Sequence, residues 1–233
     1  AVVSVTTGPG GTNALTGVIG EWLDSLPVLF LSGQVKMSTT ISSQPELPLR
    51  QLGDQEINIV DIVRPVTKYA AMVTDPTRIR YELEKAVHTA LAGRRGPVWL
   101  DIPINIQSAE IDPESLEGFC AEELMMPKPD SALLRTAAET LAKAKAPVII
   151  AGHGIRLAGA VAEFREVADR LRIPVLGTLN GFDLLATDCP YSIGRVGTIG
   201  TRAGNIALQN ADWVLCLGTR NNIRQVSYNY ENL

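Results

Sequence analysis

The run Thr6-Thr7-Gly8-Pro9-Gly10-Gly11-Thr12-Asn13 leads from an apolar stretch into a helical one and is well suited to hold a ligand. Backbone N–H groups at a helix start can bind an anion, and Asn13 could either cap the helix or face a ligand. No Gly-Lys-Ser or Gly-Lys-Thr follows, so the run is not a Walker-type phosphate loop. A tight strand-to-helix connection without a ligand is the alternative interpretation.

Glycine also ends four other apolar runs, at Gly33, Gly152, Gly177 and Gly218. Ligands of open parallel sheets bind at the carboxyl ends of the strands, and a residue without a Cβ lets a ligand approach the backbone. These four runs therefore predict binding loops in both halves of the chain.

The stretch Gly152-His153-Gly154 resembles the start of a dinucleotide fingerprint. The next glycine is Gly159, outside the GxGxxG spacing, and the following strand ends in Leu176-Gly177-Thr178 without an acid for a ribose. The sequence therefore disfavours NAD. We assign His153 no catalysis, since a polar turn residue explains it equally well.

Three cysteines and two histidines stand at wide spacings, without a CxxC pair. This pattern disfavours a zinc site and a disulfide framework, and no metal ligand is predicted. The charged residues between Arg78 and Lys85 are interpreted as a solvated helix face with weak ion pairs.

Strands and helices must alternate to position these residues. The first half shows strands at Val2–Val5, Pro27–Leu31 and Pro97–Ile102 and helices at Thr12–Leu23 and Asp75–Leu91, the latter with an Asp75 cap and Pro76 in its first turn. The second half shows helix Ser131–Lys145, strand Pro147–Ala151, helix Ala160–Leu171, strand Pro174–Leu176, helix Ala203–Gln209 and strand Trp213–Leu217. Near-continuous apolar strands between helices predict parallel sheets covered on both faces.

We therefore predict an α/β fold of two doubly wound, Rossmann-like domains. They cover residues 1–107 and 131–233, and an exposed, acidic and proline-rich linker, 108–130, joins them. The first residues read as a strand already under way and the last ones have no closing element, so both domains are expected to be truncated.

Composition narrows the range of functions. The 233 residues are 45% hydrophobic and 20% charged with a net charge of −4, which is typical of a folded globular protein. The absence of a basic block argues against nucleic acid, and no apolar run reaches membrane-spanning length. A small-molecule role in the cytoplasm is expected.

Five ordered blocks resemble the thiamine diphosphate-dependent acetolactate synthase group. They are GPGGTN, DSLPVLFLSGQV, Gln55-Glu56, Arg64-Pro65-Val66-Thr67-Lys68 and the run from Gly93 to Pro103, GRRGPVWLDIP. Residues 1–107 would be the later part of the domain that binds the cofactor's pyrimidine ring, and residues 131–233 resemble the central domain more loosely.

The resemblance implies that Gly8, Pro9, Gly10 and Asn13 contact the aminopyrimidine ring. It also implies that Gln34 lies near the reacting carbon and Lys68 borders the substrate channel, both for positioning. Turn, cap and surface-charge roles are the plain alternatives for Pro9, Asn13 and Lys68. The family's catalytic glutamate would lie upstream of Ala1, and its Mg²⁺-diphosphate motif beyond Leu233. Glu21 and Glu56 are candidates for this glutamate by charge alone. Because the glutamate and the motif are both expected outside the chain, this chain by itself is expected to be inactive.

The resemblance implies FAD, ADP or no nucleotide in the second half. By position, the nucleotide contacts would be Gly152, His153, Gly154, Thr178, Leu179, Gly197, Thr198, Gly218 and Arg220, with Arg94 contacting a flavin and Arg224 near the substrate entrance. Gly197-Thr198-Ile199-Gly200 stands where the family has Gly-Met-His-Gly, and Arg220-Asn221-Asn222-Ile223-Arg224 where it has Arg-Phe-Asp-Asp-Arg. These departures, with an insertion-like Thr39–Gly53, leave flavin binding and the substrate open.

The implied function is 2-oxo acid decarboxylation with C–C bond formation in a homodimer or homotetramer. A non-catalytic nucleotide-binding or assembly module is one alternative. A thiamine diphosphate-dependent decarboxylase or lyase with ADP in place of FAD is another.

Overall fold

The computed structural model describes residues 1–121 and 129–226. The chain divides into two compact units, Ala1–Met126 and Pro127–Leu233. Part of the predicted linker, residues 122–128, and the end of the second predicted domain, residues 227–233, lie outside the described residues.

The first unit is built on a parallel sheet with the strand order β1-β2-β4-β3. Its elements are β1 (Val2–Val5), α1 (Pro9–Asn13), α2 (Leu15–Asp24), β2 (Leu29–Gln34), α3 (Ile59–Val63), β3 (Tyr69–Met72), α4 (Ile79–Leu91), β4 (Val98–Pro103) and α5 (Ile104–Gln107). Short 3-10 turns occupy Met37–Thr39, Ile41–Ser43, Arg64–Val66, Pro76–Arg78 and Pro113–Ser115.

Both faces of this sheet are covered because successive strand residues point to opposite sides. On one face Phe30 stacks on Trp99, with ring centroids 5.0 Å apart, and both pack against α2 and α3. On the other face Leu29, Val98 and Leu100 pack against α4. The doubly wound arrangement predicted for this half is confirmed.

The second unit repeats the design with the parallel order β7-β6-β5-β8. Its elements are α6 (Ser131–Lys143), β5 (Pro147–Ala151), α7 (Gly154–Leu157), α8 (Val161–Leu171), β6 (Val175–Gly177), β7 (Ser192–Arg195), α9 (Arg202–Gln209) and β8 (Trp213–Leu217). Ile149 and Ala151 face α7 and α8, whereas Val148 and Ile150 face the α9 side.

Two strands escaped the sequence analysis. The short strand β3 reads Tyr-Ala-Ala-Met, and β7 contains Gly194 and an exposed Arg195. The alanines of β3 are poor strand formers, and β7 lacks an apolar run. The predicted helix at Thr12–Leu23 is two helices, α1 and α2, which meet at Ala14. The Asp75 cap is confirmed, since its carboxylate accepts from the Thr77 N–H.

The segment Leu116–Phe119, in the predicted linker, packs on α4 and is not an exposed connection. The Phe119 N–H donates to Glu84 Oε2 at 2.6 Å, and Arg80 Nη1 donates to the Leu116 carbonyl at 3.3 Å. The Phe119 ring contacts Tyr81 edge-on, with centroids 5.4 Å apart. This helix face carries exposed ion pairs, as predicted, and part of it also anchors a later segment.

Candidate functional site

A cleft of about 660 Å³ opens at the carboxyl ends of β1, β2 and β4. Its lining residues are Ser4, Val5, Thr6, Thr7, Leu31, Ser32, Gly33, Gln34, Val35, Ile102, Ile104 and Gln107. Hydroxyls, amides and aliphatic groups make up this lining, and none of its side chains is charged. Such a surface suits a neutral, ring-shaped ligand better than a phosphate.

The glycine-rich turn forms one side of this edge of the sheet. Gly8 has a φ of 58°, and a Cβ there would lie 2.1 Å from the Gln55 carbonyl oxygen. Glycine is thus required both by the backbone conformation and by the close approach of the later loop. Helix α1, which starts at Pro9, has only five residues. Its dipole is therefore weak and adds little to the binding of an anion at its N-terminus.

Asn13 ends α1 with an exposed side chain that makes no hydrogen bond to the described residues. The residue before α1 is Gly8 and the one before α2 is Ala14, so the alternative that Asn13 caps a helix is wrong. Pro9 is the first residue of α1, where its missing N–H costs nothing. The exposed Asn13 amide is free to contact a ligand.

Gln34 lies at the carboxyl end of β2, as its position in the sequence suggests, but its side chain does not face the cleft freely. The residue is 4% exposed. Its Nε2 donates to the Ile57 carbonyl at 3.0 Å and to Asp101 Oδ2 at 2.9 Å. Its Oε1 accepts from Thr7 Oγ1 at 3.0 Å and from the Val35 N–H at 2.9 Å.

All four hydrogen-bonding positions of the Gln34 amide are therefore taken within the chain. Gln34 therefore lines the cleft with an amide whose orientation is fixed from within the chain. Its place near a reacting carbon stays a prediction.

Asp101 is the residue of this region that the sequence analysis missed. It is fully buried in β4, and its Oδ1 accepts from Ser32 Oγ at 2.5 Å. Trp99 Nε1 in turn donates to Ser32 Oγ at 2.8 Å. Burial raises the pKa of the Asp101 carboxyl to about 6, and its hydrogen bonds from Ser32 and Gln34 oppose that rise. An acid inside the apolar run Val98–Ile102 was the available signal.

Lys68 and Arg94 lie at the opposite, amino end of the same sheet. Lys68 directly precedes β3, and its Nζ donates to the carbonyls of Thr89 and Ala92 at the end of α4. Burial lowers the pKa of the Lys68 ammonium. Arg94 Nε donates to Ser25 Oγ at 2.8 Å. Within this unit Lys68 and Gln34 thus lie at opposite ends of the sheet, and the place of Lys68 beside a substrate channel stays a prediction.

In the second unit, all the residues predicted to contact a nucleotide lie at the carboxyl edge of the sheet. Gly152 and His153 follow β5, Thr178 and Leu179 follow β6, Gly197 and Thr198 follow β7, and Gly218 and Arg220 follow β8. The structure therefore brings these residues to one edge, as parallel strands require.

The glycines of this edge pack against neighbouring loops. A Cβ on Gly152 would lie 2.3 Å from the Gly218 carbonyl oxygen, and one on Gly197 would lie 2.6 Å from the Arg224 oxygen. The Thr198 N–H donates to that Arg224 oxygen at 2.9 Å. Close packing of loops accounts for these glycines, so they are not by themselves evidence of a ligand.

The polar groups of this edge are mainly arginines. Arg156 pairs with Asp183 at 2.8 Å and contacts His153 Nδ1 at 3.2 Å. The side chains of Arg220 and Arg224 are exposed and have no ion pair within residues 129–226. Thr178 is buried, and its N–H donates to the Ala151 carbonyl.

Within the two described ranges, no group of three or more His, Cys, Asp or Glu side chains is placed to hold a metal ion. None of the helices in those ranges combines the length and apolarity needed to cross a bilayer. The three cysteines, Cys120, Cys189 and Cys216, are free thiols.

Two parallel α/β units with glycine-rich loops at their strand ends have the architecture of Rossmann-like domains. Family models identify both units. The N-terminal TPP binding domain of thiamine pyrophosphate enzymes matches residues 1–60, and the central domain of the same enzymes matches residues 134–233. The chain belongs to the thiamine pyrophosphate enzyme family.

Its curated relatives include acetolactate synthases. It is 36% identical over 231 residues to the acetolactate synthase large subunit of Lactococcus lactis, and this covers 97% of the chain and 38% of the relative. It is 34% identical over 222 residues to a probable acetolactate synthase large subunit of Methanocaldococcus jannaschii, covering 92% and 36%. It is 33% identical over 218 residues to the glyoxylate carboligase of Escherichia coli O157:H7, covering 92% and 35%. The chain thus spans less than two-fifths of the length of these relatives.

Proposed function

We propose that this chain is part of a thiamine diphosphate-dependent enzyme that decarboxylates a 2-oxo acid and forms a C–C bond, as acetolactate synthases do. The observation that carries the proposal is the uncharged cleft beside the Gly8–Asn13 turn. It lies at the strand ends of the unit whose first 60 residues match a TPP-binding domain. The family match and the uncharged lining of the cleft therefore both favour thiamine diphosphate.

The cleft fits one part of thiamine diphosphate. Hydroxyls and the amide of Thr6, Thr7 and Gln107 suit the polar edge of an aminopyrimidine, and Val5, Leu31 and Ile104 suit its ring faces. We propose that the exposed Asn13 amide, on the adjacent turn, adds a further contact. The lining offers no cation for a diphosphate, so we assign the diphosphate and Mg²⁺ to ligands outside this chain. When bound, thiamine diphosphate supplies the carbanion chemistry, and these residues orient the ring and exclude water.

The acid that activates the ring must also come from elsewhere. The Glu56 carboxylate accepts from the N–H groups of Ile41, Leu52 and Gly53, so it organises a loop. Glu21 does not line the cleft. Because the family joins the pyrimidine and diphosphate sites of two subunits, we propose a homodimer or homotetramer in the cytoplasm.

The second unit is proposed to bind a nucleotide, FAD or ADP. Support comes from its carboxyl edge, where Arg220 has no ion pair among the described residues and Phe182 and Leu179 are 59% and 55% exposed. An anionic phosphate and an apolar ring would fit such a surface. Arg224, also exposed, is proposed to contact the carboxylate of the 2-oxo acid.

The test uses the protein encoded by the complete reading frame that contains these residues. We expect CO₂ release from pyruvate or glyoxylate that requires thiamine diphosphate and Mg²⁺. Asn13→Ala should raise the thiamine diphosphate concentration needed for half-maximal activity about tenfold, since it removes one ligand contact. Gln209→Ala, an equally exposed polar substitution on α9, should not change that concentration.

Two other outcomes are informative. Binding of ADP or FAD without any CO₂ release would contradict the catalytic proposal and favour a non-catalytic nucleotide-binding or assembly module. The absorbance spectrum of the purified protein distinguishes the nucleotides, because only a flavin absorbs visible light. CO₂ release without a coupled product, in a protein that holds ADP, would favour a simple decarboxylase or lyase.

A further inference from the structure

A chain of buried hydrogen bonds crosses three strands beneath the cleft. It runs from Trp99 through Ser32 to Asp101, and from Asp101 through Gln34 to Thr7. Asp101 belongs to β4, Gln34 ends β2, and Thr7 follows β1. One polar network therefore ties together the three strand ends on which the cleft is built.

The direction of these bonds gives Asp101 a special place in the network. Its two carboxylate oxygens accept from Ser32 and from Gln34, so its charge fixes which way the Gln34 amide faces. With Nε2 held by Asp101, the Gln34 Oε1 must face Thr7 and the Val35 N–H. Reversal of the amide would place an NH₂ group against the Val35 N–H and an oxygen against Asp101.

The Gln34 amide joins two segments, the glycine-rich turn beside the cleft and the loop that contains Ile57. Through Thr7 the network reaches the glycine-rich turn, where the Gly10 N–H donates to the Thr7 carbonyl at 3.3 Å. Through the Ile57 carbonyl it reaches the loop that returns from β2 to α3. This loop also approaches the turn, since Gln55 contacts Gly8.

We propose that Asp101 is a positioning residue, which orients the Gln34 amide and through it sets the position of the glycine-rich turn beside the cleft, as a ring-shaped ligand there requires. For its meaning in catalysis this inference rests on the proposed function. The coupling between Asp101 and the glycine-rich turn does not require the cofactor. The positioning role of Asp101 and the proposed function can therefore fail separately.

The surroundings of Asp101 make it the one ionisable member of this network. Ser32 and Gln34 of β2 donate to the carboxyl, Trp99 donates to Ser32 Oγ, and the Ile57 carbonyl accepts from Gln34. Burial and two hydrogen bonds from neutral groups determine the pKa of the Asp101 carboxyl, and no charged group is among these causes. A pH change that protonates Asp101 should therefore alter its bonds to Ser32 and Gln34 first.

The experiment follows backbone amides of the full chain by ¹H–¹⁵N spectroscopy between pH 4 and pH 8. In the wild-type chain we expect the Val35 and Gly10 amide signals to shift together, with one midpoint close to the Asp101 pKa of about 6. Asp101→Asn keeps the shape of the side chain and removes its ionisation, so both shifts should be lost.

Thr7→Val cuts the last bond before the turn and keeps the β-branched shape. The shift with pH should then disappear at Gly10 and persist at Val35, whose N–H bonds directly to Gln34. Thr12→Val is the matched control, because the Thr12 hydroxyl donates to the Pro9 carbonyl and, within the described part of the chain, takes no part in the network. It should leave the pH-dependent shift at Gly10 in place.

These spectra distinguish a positioning role of Asp101 from a merely structural one. If Val35 shifts in the wild type while Gly10 does not, Asp101 does not act on the turn and the proposal is wrong. A Gly10 shift that survives Thr7→Val is equally contrary to it. The Thr7→Val comparison decides the matter even if Asp101→Asn does not fold, and no outcome depends on whether the chain binds cofactor.

Discussion

Gly154 and Gly218 lie in direct backbone contact where β5 and β8 end. The Gly154 N–H donates to the Gly218 carbonyl at 2.8 Å, and a Cβ on Gly154 would lie 2.7 Å from that oxygen. In the order β7-β6-β5-β8 these strands flank the point at which strand addition reverses direction, where open α/β sheets usually have a crevice. Here the crevice is narrowed by glycine packing, so a nucleotide would have to lie on the loops.

This contact predicts a large cost for a methyl group at Gly218. Its φ is 59°, and a Cβ would lie 2.3 Å from the Ile155 nitrogen. Strain and overpacking together should lower the free energy of unfolding of Gly218→Ala by roughly 2 to 5 kcal/mol, as measured by urea denaturation. Gly159→Ala separates backbone strain from overpacking, because Gly159 has a φ of 72° but open space around it. A loss of only about 1 to 2 kcal/mol is expected there.

The buried carboxyl of Asp101 should make stability depend on pH in an unusual direction. Its pKa rises from 3.8 in the unfolded chain to about 6 in the folded one, so the folded chain holds this proton more tightly. The resulting stabilisation is complete below pH 3.8 and is lost as pH rises through 6. The difference in unfolding free energy between wild type and Asp101→Asn should fall by roughly 2 to 3 kcal/mol from pH 4 to pH 7. A constant difference would show that Asp101 titrates normally.

The fold was predictable where apolar runs were long. Strands such as β4 and β5 are buried on both faces, so their sequences are almost continuously apolar and flanked by glycine or proline. Strand β7 lies at the edge of its sheet, and only Ile193 in it is a large apolar residue. An edge strand can form with few buried apolar side chains, so its sequence carries little of the apolar pattern from which strands are predicted.

The candidate site was predictable as a place but not as a set of contacts. The strand-end positions of Gly8 and Gln34 follow from parallel topology, which the sequence indicates. Whether the Gln34 amide faces a ligand or the interior depends on Asp101, 67 residues later in the chain. The contacts of Lys68 were not predictable for a related reason, since its ammonium donates to carbonyls at the end of α4 and no local pattern reveals that contact.

The contacts of Lys68 predict a role in stability. Its ammonium satisfies carbonyls that the last turn of α4 leaves free, as a cation at a helix C-terminus does. Lys68→Met keeps the aliphatic stem and should lower the free energy of unfolding by about 1 to 2 kcal/mol. Lys36→Met, at an exposed lysine, should change it by less than about 0.5 kcal/mol. Equal stability of the two variants would contradict the capping role.

The docking of Leu116–Phe119 on α4 should be visible in amide exchange. Glu84 uses one carboxylate oxygen for Arg80 and the other for the Phe119 N–H. Glu84→Gln retains a single acceptor, so the Arg80 contact and the Phe119 bond compete for it, and exchange at Phe119 should become about five- to tenfold faster. Glu117→Gln weakens only the Arg78 pair and leaves the Phe119 acceptor intact, so exchange there should change less than about twofold. Equal acceleration in both variants would mean that general electrostatics, and not the Glu84 acceptor, holds this segment against the helix.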